Sequence, residues 1–382
     1  MSCGEIIKRE LREIFRLDPR RILFLFFAVL LYLFLFYSLY YPGTVRQVST
    51  IICDESQSAL SRELTQALSD SDSLAVHYFT VDEEEMRDLL AVKQAFAAIH
   101  IPKDFSTDIQ LGQATTVLFM ASGNNIVLTN ATATAVQEVI ENFSDKVAAR
   151  NAALRLNYDE HILAQKIAPV HCRLRLPNNP TQTYLFFFCI GLSLTAFQQG
   201  LLFAMAASLH YDFQNQAEIS STPLGKLLSV KFLLHWGCAL VALSCFLFCA
   251  AQVCGIPVRA PWWELLALGA AFSFVILLLG MVLAPLCKTE LQFVKLSLFY
   301  VVPAFIFSGY TWPLMSMPED MQLLAKIFFP LTWVLDGWRS LMLSGVYAGL
   351  TQSLIALSLP GTICMLLAPR AFRYGCKNFS EQ

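Results

Sequence analysis

Long apolar runs decide what this chain can fold into. The first, Ile22 to Tyr41, reads ILFLFFAVLLYLFLFYSLYY and carries no charge. In hydrocarbon an unpaired backbone amide costs several kcal/mol, so about 20 apolar residues in a row are stable only as a helix that closes its own hydrogen bonds. Five more runs follow, at Tyr184 to Leu209, Leu227 to Ala251, Trp263 to Leu286, Phe293 to Trp312 and Val346 to Leu367. The first run is too long for the core of a cleaved signal peptide, and no small-x-small site follows it, so it reads as an uncleaved anchor. Six crossings place both termini on one side.

Charge is scarce, 15% of 382 residues against 56% hydrophobic, where a soluble chain would hold about 25%. Most of it falls in the first 21 residues and between Pro42 and Leu176, which separates a membrane portion from a water-exposed one. A net charge of -2, with no Lys/Arg cluster among aromatics, argues against a nucleic-acid partner. Short-loop cations set orientation. Lys8, Arg9, Arg12, Arg16, Arg20 and Arg21 fall on the same side as Lys226, Lys231, Lys288, Lys295, Arg370, Arg373 and Lys377, whereas the short loop Cys254 to Trp262 holds only Arg259. Both ends are therefore expected in the cytoplasm and residues 42–183 outside.

Within residues 1–21, Ile7, Leu11, Ile14 and Phe15 mark one helical face, with Lys8, Arg9, Arg12 and Arg16 over much of the rest. This reads as an amphipathic helix on the cytoplasmic surface, its cations near lipid headgroups; the alternative is a frayed, solvated start. Residues 22–41 are the first span.

From 42 to 183 the pattern alternates. VSTIICD, LAVHYF, AFAAIHI and ATTVLFM read as strands. Between them lie QSALSRELTQALSD, which Asp54 and Ser56 can cap, VDEEEMRDLLAVKQ, with its acids in the first turn, and KDFSTDIQLG, closed by Gly112. A last helix carries Val136, Ile140, Phe143 and Val147 on one stripe. This predicts a compact α/β domain. Its histidines, His77, His100, His161 and His171, are scattered, and a lone histidine in a strand such as His100 reads as packed or surface rather than as a ligand. Of eleven cysteines, Cys189, Cys238, Cys245, Cys249 and Cys364 lie in apolar runs, where Cys is a small hydrophobe, and no C-x-x-C occurs. No metal or cofactor is expected. Cys53 and Cys172, both in the polar segment, are the pair an oxidising compartment could join.

The membrane half lacks what several functions require. Ion pumps hold ionisable groups inside their spans, but the central stretches here show essentially none. His235 and Lys295 lie near one end of their runs and Glu264 near another, where water is within reach. An intramembrane hydrolase would need a buried acid, base or metal. STPLGKLLS has a Gly-Lys pair without the earlier glycine of a phosphate cradle, so no ATPase activity is expected of the chain itself.

The stretch FSGYTWPLMSMPEDMQLLAKIFFPLTWVLDGWRSLMLSG resembles the signature between the fifth and sixth spans of type-2 ABC transporter permeases. Ser308, Gly309, Pro313, Met317, Pro318, Pro330, Leu331, Thr332, Arg339 and Gly345 occupy its places. CDESQSALSRELTQAL, AFAAIHIPKDFSTDIQLGQATTVLFMASGNN and RLRLPNNPTQTYLF are similar to segments of the branch with a long extracytoplasmic domain, associated with multidrug-type exporters.

The resemblance implies a membrane α-helical fold of six transmembrane helices with an extracytoplasmic α/β domain and a re-entrant hairpin between the fifth and sixth. The five-helix region would be 184–368, the hairpin about 313–345 and the cytoplasmic tail 369–382. Gly309, Pro313, Met317, Pro318, Pro330, Thr332 and Arg339 would form the outer gate, Pro318 with Glu319 and Asp320 opening the first short helix. Trp312, Trp333 and Trp338 would suit the water–lipid boundary. Family members carry a charged coupling helix after the second span. Here HYDFQNQAEISSTPLGKL keeps only Glu218 and Pro223 as candidate coupling residues, with Glu218 open to reading as a plain solvated acid.

The function implied is the permease subunit of an ATP-driven exporter of apolar or amphipathic cargo in the plasma membrane, the bacterial inner membrane. Its partners would be a cytoplasmic ABC ATPase, a second identical or paralogous permease subunit and membrane lipid; a periplasmic adaptor protein stays open. The alternative is a membrane-anchored receptor or scaffold whose outer domain binds an envelope partner.

Overall fold

A computed structural model describes residues 2–41, 46–122, 125–156 and 183–380. The chain divides into two compact units, one of Met1–Gly43 with Leu176–Gln382 and one of Thr44–Arg175.

In the first unit, α1 (Cys3–Arg12) starts at a capping box in which Ser2 and Glu5 satisfy each other's backbone N–H groups, and the chain stays helical through Leu17. The first membrane-grade helix is α2 (Arg20–Tyr40).

The second unit holds β1 (Val48–Asp54), α3 (Ala59–Ser69), β2 (Leu74–Thr80), α4 (Glu83–Ala91), β3 (Ala97–Ile101), α5 (Phe105–Leu111), β4 (Leu118–Ala121) and α6 (Ile126–Leu156). Its sheet runs β2-β1-β3-β4, parallel except for the β3–β4 pair. Side-chain alternation gives it two covered faces. Ile52, Ile99 and Ile101 pack against Leu64 and Leu68 of α3 and the Val136, Phe143, Val147 stripe of α6. Ile51, Cys53 and Ala98 pack against Met86 of α4 on the other face. Local signals hold up well. Asp82 caps α4, three glutamates fill its first turn, and Gly112 closes α5 at φ +76°. The α3 cap is Ser58, with Asp54 accepting from the Ser61 hydroxyl at 2.7 Å.

The first unit resumes with α7 (Tyr184–Gln214), the single turn α8 (Gln216–Ile219), α9 (Leu224–Val253), α10 (Trp262–Leu286) and α11 (Glu290–Phe307). Two short helices, α12 (Glu319–Phe328) and α13 (Leu335–Leu343), precede α14 (Leu350–Ser380). With α2, this gives six helices among the described residues that are long and apolar enough to cross a membrane. The α11 helix stops at Phe307, short of the expected Trp312, because Gly309 turns the chain at φ +84°. Residues expected as a tail continue α14 to Ser380, where the Phe372 and Phe379 rings pack tilted against Phe213 at 5.1 and 5.2 Å.

The α2 helix lies so close to α7 that a Cβ on Gly200 would stand 2.1 Å from the Phe24 carbonyl oxygen. Only glycine permits that approach. Outward faces are apolar: Leu31, Leu35 and Leu39 on α2, Phe299 and Val302 on α11, and Leu359 and Leu366 on α14 are exposed. A water-soluble protein would cover such faces, whereas a bilayer solvates them.

Candidate functional site

Where α1 meets the ends of α7 and α9, six charged side chains close on one another. Lys231, about two turns from the α9 start, is fully buried. Its Nζ forms ion pairs with Glu10 Oε1 at 2.8 Å and Asp212 Oδ2 at 2.8 Å and donates to Ser208 Oγ at 2.6 Å. Ser208 Oγ in turn donates to Glu10 Oε2 at 3.1 Å. Arg9 reaches Asp212 Oδ1 at 2.6 Å and Glu13 Oε1 at 3.0 Å. Arg21 pairs with Glu13 Oε2 at 2.9 Å and donates to the Ala207 carbonyl at 3.0 Å. Both guanidiniums lie over the Tyr211 ring, at 5.5 and 5.6 Å from its centroid.

Three cations and three carboxylates thus balance formally in a place shut off from water. Burial alone would make each of them expensive, and only the mutual pairing keeps them there. The two neighbouring glutamates respond in opposite directions. Burial acts to raise Glu10, but Lys231 and then His235 outweigh it and hold that carboxyl below its usual range. Burial, reinforced by the Glu10 charge, pushes Glu13 up to about 7 against the pull of Lys231, Arg21 and Arg9. Two like charges this close cannot both ionise freely.

Glu218, on α8, is the edge of this network. Its carboxylate is half exposed and lies 3.2 Å from Arg9 Nε. Pro223 is exposed and starts α9 from the N-cap position. Gln216 Nε2 donates to the Cys376 carbonyl at 3.0 Å, joining this stretch to the end of α14. A cleft of about 390 Å³ opens beside it, lined in part by Gln216, Ile219, Thr222, Leu224 and Phe372.

The residues between α11 and α14 gather separately. Gly309 faces Leu314, and Pro313 starts a single 3-10 turn. The Met317 carbonyl accepts from Gln322 Nε2 at 2.9 Å, and Pro318 caps α12 ahead of Glu319 and Asp320. Pro330 and Thr332 are buried in the turn between the short helices, Thr332 Oγ1 donating to the Ala325 carbonyl at 3.2 Å. Arg339 on α13 pairs with Asp336 at 2.5 Å and sits 5.0 Å from the centre of the Tyr310 ring. Tyr310 stacks on Phe187 and donates to the Phe187 carbonyl at 2.8 Å, so α7, the Gly309 turn and α13 are joined through one side chain.

Three expectations need correction. The buried stripe of the helical stretch from Cys3 to Leu17 is Ile6, Glu10, Glu13 and Ile14, while Ile7 and Phe15 are exposed, so its inward face carries two acids bonded to other helices. His235 does not reach water; it is fully buried, its Nδ1 2.8 Å from the Lys231 carbonyl. Trp338 is no boundary residue, being fully buried, stacked on Phe246 and donating to the Leu265 carbonyl at 3.2 Å. Trp312, by contrast, is exposed. The charged cluster was missed because Arg21, Asp212 and Lys231 sit near the ends of apolar runs, and Arg9, Glu10 and Glu13 in a charged N-terminal segment, where a charge reads as solvated. The available signal was Glu10 and Glu13 at helical spacing from Ile6 and Ile14.

The family model described as ABC-2 family transporter protein matches residues 20–369. Among curated proteins, the chain is similar to the probable multidrug ABC transporter permease YbhR of Escherichia coli strain K12. The two are 23% identical over 340 residues, which is 86% of this chain and 84% of that one. It is also 30% identical over 115 residues to ABC transporter G family member 20 of Dictyostelium discoideum, covering 30% of this chain and 16% of the relative. Six membrane-grade helices, the Gly309-to-Gly345 region and these matches lead to one conclusion: the chain belongs to the ABC-2 family of transporters.

Proposed function

We propose that this protein is the permease subunit of an ATP-driven exporter, working with a cytoplasmic ABC ATPase and a second permease subunit. Family membership and the likeness to a probable multidrug permease support the assignment. The observation that carries it is the position of Arg9, which bonds Glu218 on the short α8 helix to Asp212 and Glu13 at once. A push on α8 is thereby delivered to α1, α7 and, through Lys231, α9. The cleft beside α8 is the docking place for the ATPase. The Gly309-to-Gly345 region is the outer gate, its short helices re-entering the membrane where Pro-broken backbone is shielded by protein. The cation bias of the short loops supports cytoplasmic termini and an α/β unit outside. Exposed apolar faces suit lipid and the second subunit, and the uncharged span interiors suit an apolar or amphipathic cargo.

The test is co-expression with the ABC ATPase encoded nearest to it. The complex should hydrolyse ATP, and Glu218→Arg, which sets like charge against Arg9, should lower hydrolysis while leaving the permease folded. An ATPase that neither co-purifies nor responds to the permease would refute the assignment.

A further inference from the structure

The parallel strand order β2-β1-β3 contains a topological switch point. From β1 the chain passes through α3 to β2 on one side, then through α4 to β3 on the other. The two helices cover opposite faces, α3 with Leu64 and Leu68, α4 with Met86. In open α/β sheets the crevice at the carboxyl ends of two such strands is where ligands bind.

Three metal-ligating side chains stand at that place. Cys53 and His100 are direct partners in the β1–β3 register. Glu55 follows β1, its N–H bonded to the Ile101 carbonyl at 3.2 Å, which prolongs the ladder and returns the side chain to the Cys53 face. Cys53 is fully buried, and one ligand atom from each of the three residues lies within 4.8 Å of the others. His100 Nε2 is 3.4 Å from Glu55 Oε1, and that buried nitrogen has no hydrogen-bond partner. Glu55 is about one-third exposed and gives an entry from solvent. The field is negative: burial first, then the carboxylates of Glu55, Glu83, Asp82 and Asp54, push the Cys53 thiol up to about 11. A thiol so placed is a poor acid alone, but a divalent cation answers the surrounding charge and displaces the proton to solvent as the metal–sulfur bond forms.

We propose that Cys53, His100 and Glu55 form a metal site at the β1/β3 switch point, selective for a zinc-class divalent cation. One thiolate, one imidazole and one carboxylate are the donors zinc takes, and three protein ligands leave a fourth position for water or an acid of the α4 start. The site makes His100 a ligand, contrary to the reading of a lone strand histidine. It also uses Cys53 as a free thiolate, which excludes its pairing with Cys172; Cys172 lies outside the described residues.

The experiment is a titration of the tag-free full-length chain in detergent with Co²⁺, followed by Zn²⁺. One Co²⁺ per chain should bind with a thiolate-to-cobalt charge-transfer band, and Zn²⁺ should erase it. Cys53→Ser should abolish the band. His100→Gln and Glu55→Gln, at the less buried positions, should each weaken Zn²⁺ binding at least roughly tenfold. His77→Gln, on the exposed side of β2, should change nothing. A band that survives Cys53→Ser, zinc affinity unchanged in both rim variants, or unreduced peptide maps showing Cys53 in a disulfide would overturn the site.

Discussion

Replacing Lys231 by methionine keeps most of the apolar stem of the side chain and removes the ammonium that Glu10, Asp212 and Ser208 share. The wild-type cluster balances three cations against three carboxylates. The variant leaves Glu10 and Asp212 buried beside each other with their common donor gone. Removing one partner of a buried ion pair costs about 3–5 kcal/mol, because the other charge stays where water cannot reach it. The measurement is reversible unfolding in mixed detergent micelles, with protease access to α1 read alongside, since α1 is held largely through Glu10, Glu13 and Arg9. Lys231→Met should lose about 3–5 kcal/mol and expose α1 to cleavage. Adding Glu10→Gln restores the balance and should recover at least half of the loss, because a matched neutral pair carries no stranded charge. A single variant within about 0.5 kcal/mol of wild type, or a double variant no better than the single, would refute the argument.

Two more expectations rest on neighbouring features. Glu13 holds its proton up to about 7 in the folded protein but only to 4.5 at its ordinary value, so the folded state binds the extra proton between those limits and stability falls as pH rises across them. The whole window is worth about 3 kcal/mol at most, and Glu13→Gln should flatten it; matching pH slopes in wild type and variant, from denaturation midpoints, would disprove this. Gly200→Ala would place a methyl 2.1 Å from the Phe24 carbonyl oxygen, forcing α2 off α7 at a cost of about 1–3 kcal/mol, and an unchanged melting temperature would contradict the close approach.

The spans were legible because hydrophobic length is a local signal, and the α/β alternation because caps, acidic first turns and Gly112 punctuate it. Sheet order was not: β3 pairs with β1 across two helices, and nothing in AFAAIHI says which strand it adjoins. The charged cluster was hidden for a related reason. Arg9 finds Asp212 at a separation of 203 residues, and a one-dimensional reading places each of them in water. Trp338 misled in the opposite way, since a tryptophan beside a polar turn suggests the headgroup region, while its indole N–H is in fact satisfied by the Leu265 carbonyl. The gate candidates were found by motif, but their joining through Tyr310 needed the third dimension.

That 203-residue separation also orders events at the ribosome. Arg9, Glu10 and Glu13 emerge almost at once, yet Asp212 and Lys231 follow only after the whole α/β unit has been made. At about 5–20 residues per second the delay is roughly 10–40 s. Throughout it Glu13 can pair locally with Arg9 and Arg21, but Glu10 lacks the Lys231 ammonium and Arg9 lacks the Asp212 carboxylate. Locking therefore has to wait for the third membrane-grade helix, and a chain truncated before Lys231 would leave its leading segment waiting for a partner that never arrives.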